Sequence, residues 1–115
     1  MKGHTMRALV IHPNTSPRVV HKDWTLAELQ AEVGGYIESL PTGRDDITIF
    51  GNEEAKFAGE DGGPMPLNGI VTVWLKSMLA DGDYIAGPVV VIGYDPETGE
   101  NLDLPETFLP KTETE

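Results

Sequence analysis

The sequence predicts an α+β fold: one small domain with a mixed or antiparallel sheet and two helices, in the order β-β-α-β-β-loop-α-β, with a short final β. Three observations carry this. Short β-branched runs recur at 7–11, 46–50 and 89–92. One segment near 25–33 carries helix signals at both ends. The chain has 115 residues, 39% of them hydrophobic, which suits one domain with a modest core.

Taken in order, Arg7-Ala8-Leu9-Val10-Ile11 is a strand, and Pro13-Asn14-Thr15-Ser16-Pro17 reads as a turn. Arg18-Val19-Val20-His21 returns as the second arm of a hairpin. A turn at 13–16 sets residue 12 opposite 17 and His21 opposite Ala8. Thr25-Leu26-Ala27-Glu28 is a capping box, in which the threonine hydroxyl accepts from a first-turn N–H and the glutamate reaches back to the cap. Trp24 stands where it can staple onto Leu29, and Gly34-Gly35 ends the helix because glycine tolerates the left-handed C′ conformation.

Strands are expected at 36–40 and 46–50, followed by a long loop from Gly51 to Pro66 rich in glycine, proline and acids. Loops of that length are usually functional or disordered. For 67–80, β-branched Ile70-Val71-Thr72-Val73 favours a strand, whereas Ile70, Val71, Trp74, Leu75, Met78 and Leu79 share a helical face. With Asn68 as N-cap and Asp81-Gly82 as stop, a helix is expected. Gly87-Pro88 kinks the entry to the strand 89–92, and 102–104 forms the last short strand. The expected organisation is an N-terminal extension 1–5, a domain 6–104 and an acidic flexible tail 105–115, with Lys111–Glu115 disordered and Met6 the natural start.

The net charge of −11 is concentrated: residues 95–115 hold seven acids and one base. A mimic of nucleic acid would spread its acids over a folded face, and a nucleic-acid binder needs a basic stripe. Lys2, Arg7, Arg18 and Lys22 form only a small basic patch, read as a solvated hairpin. With no cysteine there is no disulfide or thiolate metal site. No apolar stretch is long enough to cross a bilayer and no secretory signal is visible, so a cytoplasmic setting is expected.

Among candidate sites, Gly51-Asn52-Glu53-Glu54-Ala55-Lys56-Phe57 stands out. Glu53 and Glu54 are adjacent on an extended chain and so point to opposite sides. A paired-carboxylate site would need each to find another partner, such as Glu38 or Asp46. The alternatives for this stretch are a polar turn with Lys56 as local ion partner, or an anion site of Asn52, Lys56 and the N-terminus of the Asn68 helix. Tyr36 offers a polar tip to the same surface. His12 and His21, on the expected register, lie roughly 13 Å apart along one face, too far for one zinc ion. Asn14-Thr15-Ser16 is a chance sequon, and Gly59-Glu60-Asp61-Gly62-Gly63 lacks the lysine of a phosphate loop. No serine has a nucleophile-elbow context, and Trp24 and Trp74 read as packing residues. No metal and no cofactor are expected.

Val33-Gly34-Gly35-Tyr36-Ile37-Glu38 and Asn52-Glu53-Glu54-Ala55-Lys56, with Leu29-Gln30, Asn68 and Gly87-Pro88-Val89-Val90-Val91-Ile92-Gly93, resemble domain-of-unknown-function family 3846 over about residues 7–104. The resemblance implies small proteins of bacteria, plasmids and bacteriophages, and no established reaction. Ala55 stands where that pattern leads one to expect glycine, and the acidic loop before Asn68 is longer.

The expected function is that of a small non-catalytic binding or regulatory protein, a counter-defence or host-modulating factor acting on a protein or small metabolite. Its partner surface is expected at Tyr36, Asn52, Glu54, Lys56 and Asn68, with homo-oligomerisation as a further option. One alternative is a small hydrolase or nucleotide-processing enzyme using Glu53 or Glu54. A second is an acidic nucleic-acid mimic.

Overall fold

The computed structural model describes residues 5–108. Among these residues six strands form one antiparallel sheet: β1 (Met6–Ile11), β2 (Arg18–Lys22), β3 (Ile37–Leu40), β4 (Ile47–Asn52), β5 (Val89–Tyr94) and β6 (Asn101–Leu102). The path runs β2-β1-β5-β4-β3, with β6 pairing the far end of β5. Helix α1 (Leu26–Val33) packs on one face. Helix α2 (Gly69–Trp74), the 3₁₀ turns Lys76–Met78 and Glu106–Phe108, and the segment around Ile85 cover the other. The expected α+β class is the one observed. No helix among the described residues is long and apolar enough to cross a membrane.

The core has two halves divided by the sheet. Ala8, Val10, Val90 and Ile92 meet Trp24, Leu29 and Val33 of the α1 side. Leu9, Ile11, Ile47, Ile49, Val89 and Val91 meet Val71, Leu75, Ile85 and Leu104. β5 lies at the centre with both faces covered, which is why Val89-Val90-Val91-Ile92 reads as an unbroken apolar run rather than an alternation.

Helix α1 forms where its signals place it. Thr25 Oγ1 accepts from Glu28 N–H at 3.3 Å, and Gly34 closes the helix at φ 87°. Trp24 is buried beside Leu29, and its indole N–H donates to Met6 O at 3.1 Å. Only half of the capping box is made: Glu28 Oε1 is buried without a hydrogen-bond partner among the described residues.

Several expectations are corrected. The helix expected over 67–80 is six residues of α-helix followed by a 3₁₀ turn. Only Val71 and Leu75 of its proposed face are buried; Ile70, Trp74 and Met78 are exposed, and Trp74 packs on Phe108 at the edge. The β-branched residues that weaken helix propensity leave it one and a half turns long. β4 extends through Gly51 and Asn52, so the long loop begins two residues later than expected. β6 is Asn101–Leu102 rather than 102–104; Leu104 instead donates its N–H to Arg7 O.

The first hairpin register is also shifted by one residue. Ala8 faces Val20 and His21 faces Arg7, because the connection takes an additional residue, with Asn14 at φ 66°. A one-residue slip moves every side chain to the other face. His12 therefore meets Glu32 of α1 at 2.7 Å, alongside Arg18 and Lys22, whereas His21 lies opposite Arg7 on the other face. The expected extension 1–5 falls outside the described residues except for Thr5, and Lys111–Glu115 falls outside them altogether.

Candidate functional site

Two of the sequence's most specific pieces, VGGYIE and NEEAK, come together as one unit. The antiparallel pairing of β3 with β4 sets Ile37 opposite Asn52 and Glu38 opposite Gly51, and Glu53 N–H donates to Tyr36 O at 2.8 Å. Asn52 is buried, with 4% exposure. Its side-chain amide donates to Val33 O at 3.1 Å, and its Oδ1 accepts from Glu54 N–H at 2.7 Å. A buried amide left unpaired is costly, so both halves of the asparagine are satisfied and the residue is held in one orientation.

The double glycine has two separate causes. Gly34 takes the left-handed conformation that ends α1. Gly35 has no such φ, but a Cβ there would lie 3.0 Å from Asn52 Nδ2, a tight contact that the latch formed by the Asn52 amide would have to yield to. Ala55 does not have a positive φ; its N–H donates to Asn52 O at 3.1 Å and its carbonyl accepts from Met65 N–H at 2.7 Å. Alanine is therefore acceptable at this position.

Two concavities flank this unit, one on each face of the sheet edge. On the α2 face a cleft of about 260 Å³ opens between the β3–β4 hairpin and the segment 78–86. Glu38, Leu40, Glu53 and Lys56 line one wall, and Leu79, Asp83 and Tyr84 line the other. Lys56 ties the walls together: its Nζ lies 2.9 Å from Asp83 Oδ1 and 4.3 Å from the centre of the Tyr84 ring. The hydrogen bond from Lys56 holds the Asp83 carboxyl below its ordinary value, and the same bond raises the Lys56 ammonium above its own. On the α1 face a shallower groove of about 240 Å³ is lined by Gln30, Gly34, Gly35, Tyr36, Asn52 and Glu54.

The five residues expected to form one surface are thus distributed. Asn52 lies between the two concavities. Tyr36 and Glu54 line the groove, Lys56 lines the cleft, and Asn68 lines neither. Glu53 lines the cleft and Glu54 the groove, but they are parted by a turn, closed by Ala55 N–H on Asn52 O, and not by the extended chain that was expected. Asn68 is buried, with 1% exposure: its amide donates to Ile11 O at 3.0 Å and Gly87 O at 2.9 Å, and its Oδ1 caps Val71 N–H at 3.4 Å. Asn68 and Lys56 do not meet, so the geometry brings together no anion site from Asn52, Lys56 and the start of α2. Sequence reasoning missed Glu38, Asp83 and Tyr84 as companions of Lys56. Asp83 and Tyr84 stand 27 and 28 positions away, and no local pattern marks them.

The model of the Domain of unknown function (DUF3846) matches residues 6–114, and the chain belongs to that family. No curated protein matches the chain, and no solved structure matches it.

Proposed function

We propose that this member of the DUF3846 family is a non-catalytic binding protein whose ligand surface is the cleft between the β3–β4 hairpin and the segment 78–86. One observation carries the reading: Lys56 of the family signature spans to Asp83 and Tyr84, so the signature closes a concave surface. The rest of the signature supports that surface from behind, through the Asn52 latch on Val33 and Gly35. Lys56 is engaged by Asp83 and the two adjacent glutamates are split between faces, which favours recognition over acid–base chemistry. In the phage or plasmid setting that the family resemblance implies, such a module acts by holding a host protein or a metabolite inside the cell, as a regulatory or counter-defence factor.

The test is recovery of the full chain from a bacterial lysate, with analysis of what it retains, beside an Ala80→Trp variant that fills the cleft from its exposed rim. A retained molecule lost in the variant is expected. A wild-type protein that holds nothing overturns the reading. Turnover of a hydrolase substrate panel abolished by Glu53→Gln would replace it with the enzymatic alternative, for which Glu53 is the cleft-facing carboxylate.

A further inference from the structure

The sheet ends at β3, and its outer edge is unpaired among the described residues. The register defines which groups are free. Glu53 N–H bonds Tyr36 O, and alternation in an antiparallel ladder then turns the main-chain groups of Glu38 and Leu40 inward to β4. The N–H and C=O of Ile37 and Ser39 therefore face outward, and neither residue's main chain has another partner among the described residues. An exposed edge of this kind is a template for one more strand.

The side chains beside that edge select the partner. Glu38 projects to the cleft face of β3, where Glu53 and Asp83 also line the cleft and Lys56 is the sole cleft-lining cation among the described residues. A strand added antiparallel to β3, exchanging hydrogen bonds with Ile37 and Ser39, places one residue directly opposite Glu38, about 4.5 Å away between Cα atoms. A lysine or arginine there meets Glu38, and its aliphatic stem lies along Leu40. The residue opposite Ile37 falls on the other face, beside that half-buried isoleucine, and is best apolar. A second copy of this chain is disfavoured at the same edge, because an antiparallel β3–β3 pair centred on Glu38 sets Glu38 against Glu38 in a protein of net charge −11.

We propose that the β3 edge accepts an extended basic peptide segment of a partner protein, added as a seventh strand with a cationic side chain opposite Glu38. This rests on the binding reading above and names the partner chemistry for the same cleft.

The probe is a capped octapeptide of alternating lysine and valine, titrated into the full isotope-labelled chain. Its controls are the same peptide with glutamate for lysine and the same peptide with N-methylated valines. The expected result is perturbation and exchange protection of the Ile37 and Ser39 amides by the lysine peptide alone. Glu38→Lys weakens that binding tenfold or more. Ser39→Pro abolishes it while leaving the fold intact, since that N–H takes no part in the β3–β4 ladder. Equal binding of the N-methylated peptide overturns strand addition, and equal binding of the glutamate peptide overturns the charge selection. Protection of Ile37 and Ser39 that grows with protein concentration in the absence of peptide assigns the edge to a second copy and overturns the proposal. Absence of binding by any peptide, together with a lysate ligand that Ala80→Trp removes, overturns strand addition and leaves the cleft reading standing.

Discussion

The Asn52 amide donates to the main-chain carbonyl of Val33 across 19 residues, joining the end of α1 to the end of β4 inside the protein. Replacing Asn52 by alanine leaves the Val33 carbonyl and the Glu54 N–H unsatisfied, at a cost of roughly 2 kcal/mol. Asn52→Asp keeps the acceptor for Glu54 but sets a carboxylate oxygen against Val33 O, and is expected to cost more than alanine. Urea denaturation of the three proteins checks the order.

Gly35 and Asn52 are predicted to be coupled. A methyl group at 35 approaches Asn52 Nδ2 to 3.0 Å and displaces the latch. Gly35→Ala should therefore destabilise the wild type, and cost about 1 kcal/mol less when Asn52 is already alanine. Additive effects in the double-mutant cycle would show that the glycine serves something other than this contact.

Asn68 is a cap whose other half is a core cross-link. Asn68→Asp preserves the oxygen that caps Val71 N–H but loses both donations, to Ile11 O and Gly87 O, and buries a charge. A loss of roughly 3 kcal/mol is expected, well beyond the ~1 kcal/mol of a cap alone. Thermal unfolding measures it, and a loss no larger than a cap's would reassign the two carbonyl contacts as incidental.

Gly87 has φ +80°, and a Cβ there would sit 2.7 Å from Met65 Sδ. Gly87→Ala is expected to cost about 2 kcal/mol from backbone strain with a further contribution from the clash. Met65→Ala should recover the clash and not the strain, so rescue is partial. Full rescue would mean that the backbone there relaxes without penalty.

The Lys56–Asp83 pair has a defined dependence on pH. Asp83 titrates below its ordinary 3.8 in the folded protein, so its contribution to stability is full above that value and is lost as pH falls through the lower folded-state value. Lys56 is raised above 10.5, so its contribution is full below 10.5 and is lost as pH rises through the higher folded-state value. Both side chains are substantially exposed and the effect is screened by salt. In an NMR titration, Lys56→Met should move the Asp83 carboxyl back up toward 3.8, and an unmoved value would show that the bond is not formed in solution.

Helix α1 was legible because its determinants are local: Thr25 caps Glu28 N–H, Trp24 packs beside Leu29, and Gly34 closes the last turn, all within one short segment. β5 was legible from its apolar run, although the reason for that run, cover on both faces, needed the tertiary structure. α2 was overextended because Ile70, Trp74 and Met78 fit a helical period that the sheet does not have room to bury. The hairpin register turned on a single residue in a loop, where propensity carries no information about pairing.

The sequence by itself determined the α+β class, the order of elements and the caps of α1, because each of these is written in neighbours a few residues apart. Only the tertiary structure decided where the polar residues of VGGYIE and NEEAK lie and what they touch. It buried Asn52 and Asn68 as cross-links, separated Glu53 from Glu54, and gave Lys56 its partners in Asp83 and Tyr84. The physical reason is distance along the chain: a polar side chain finds its partner through the folding of the sheet, and a buried amide reads the same in sequence as an exposed one.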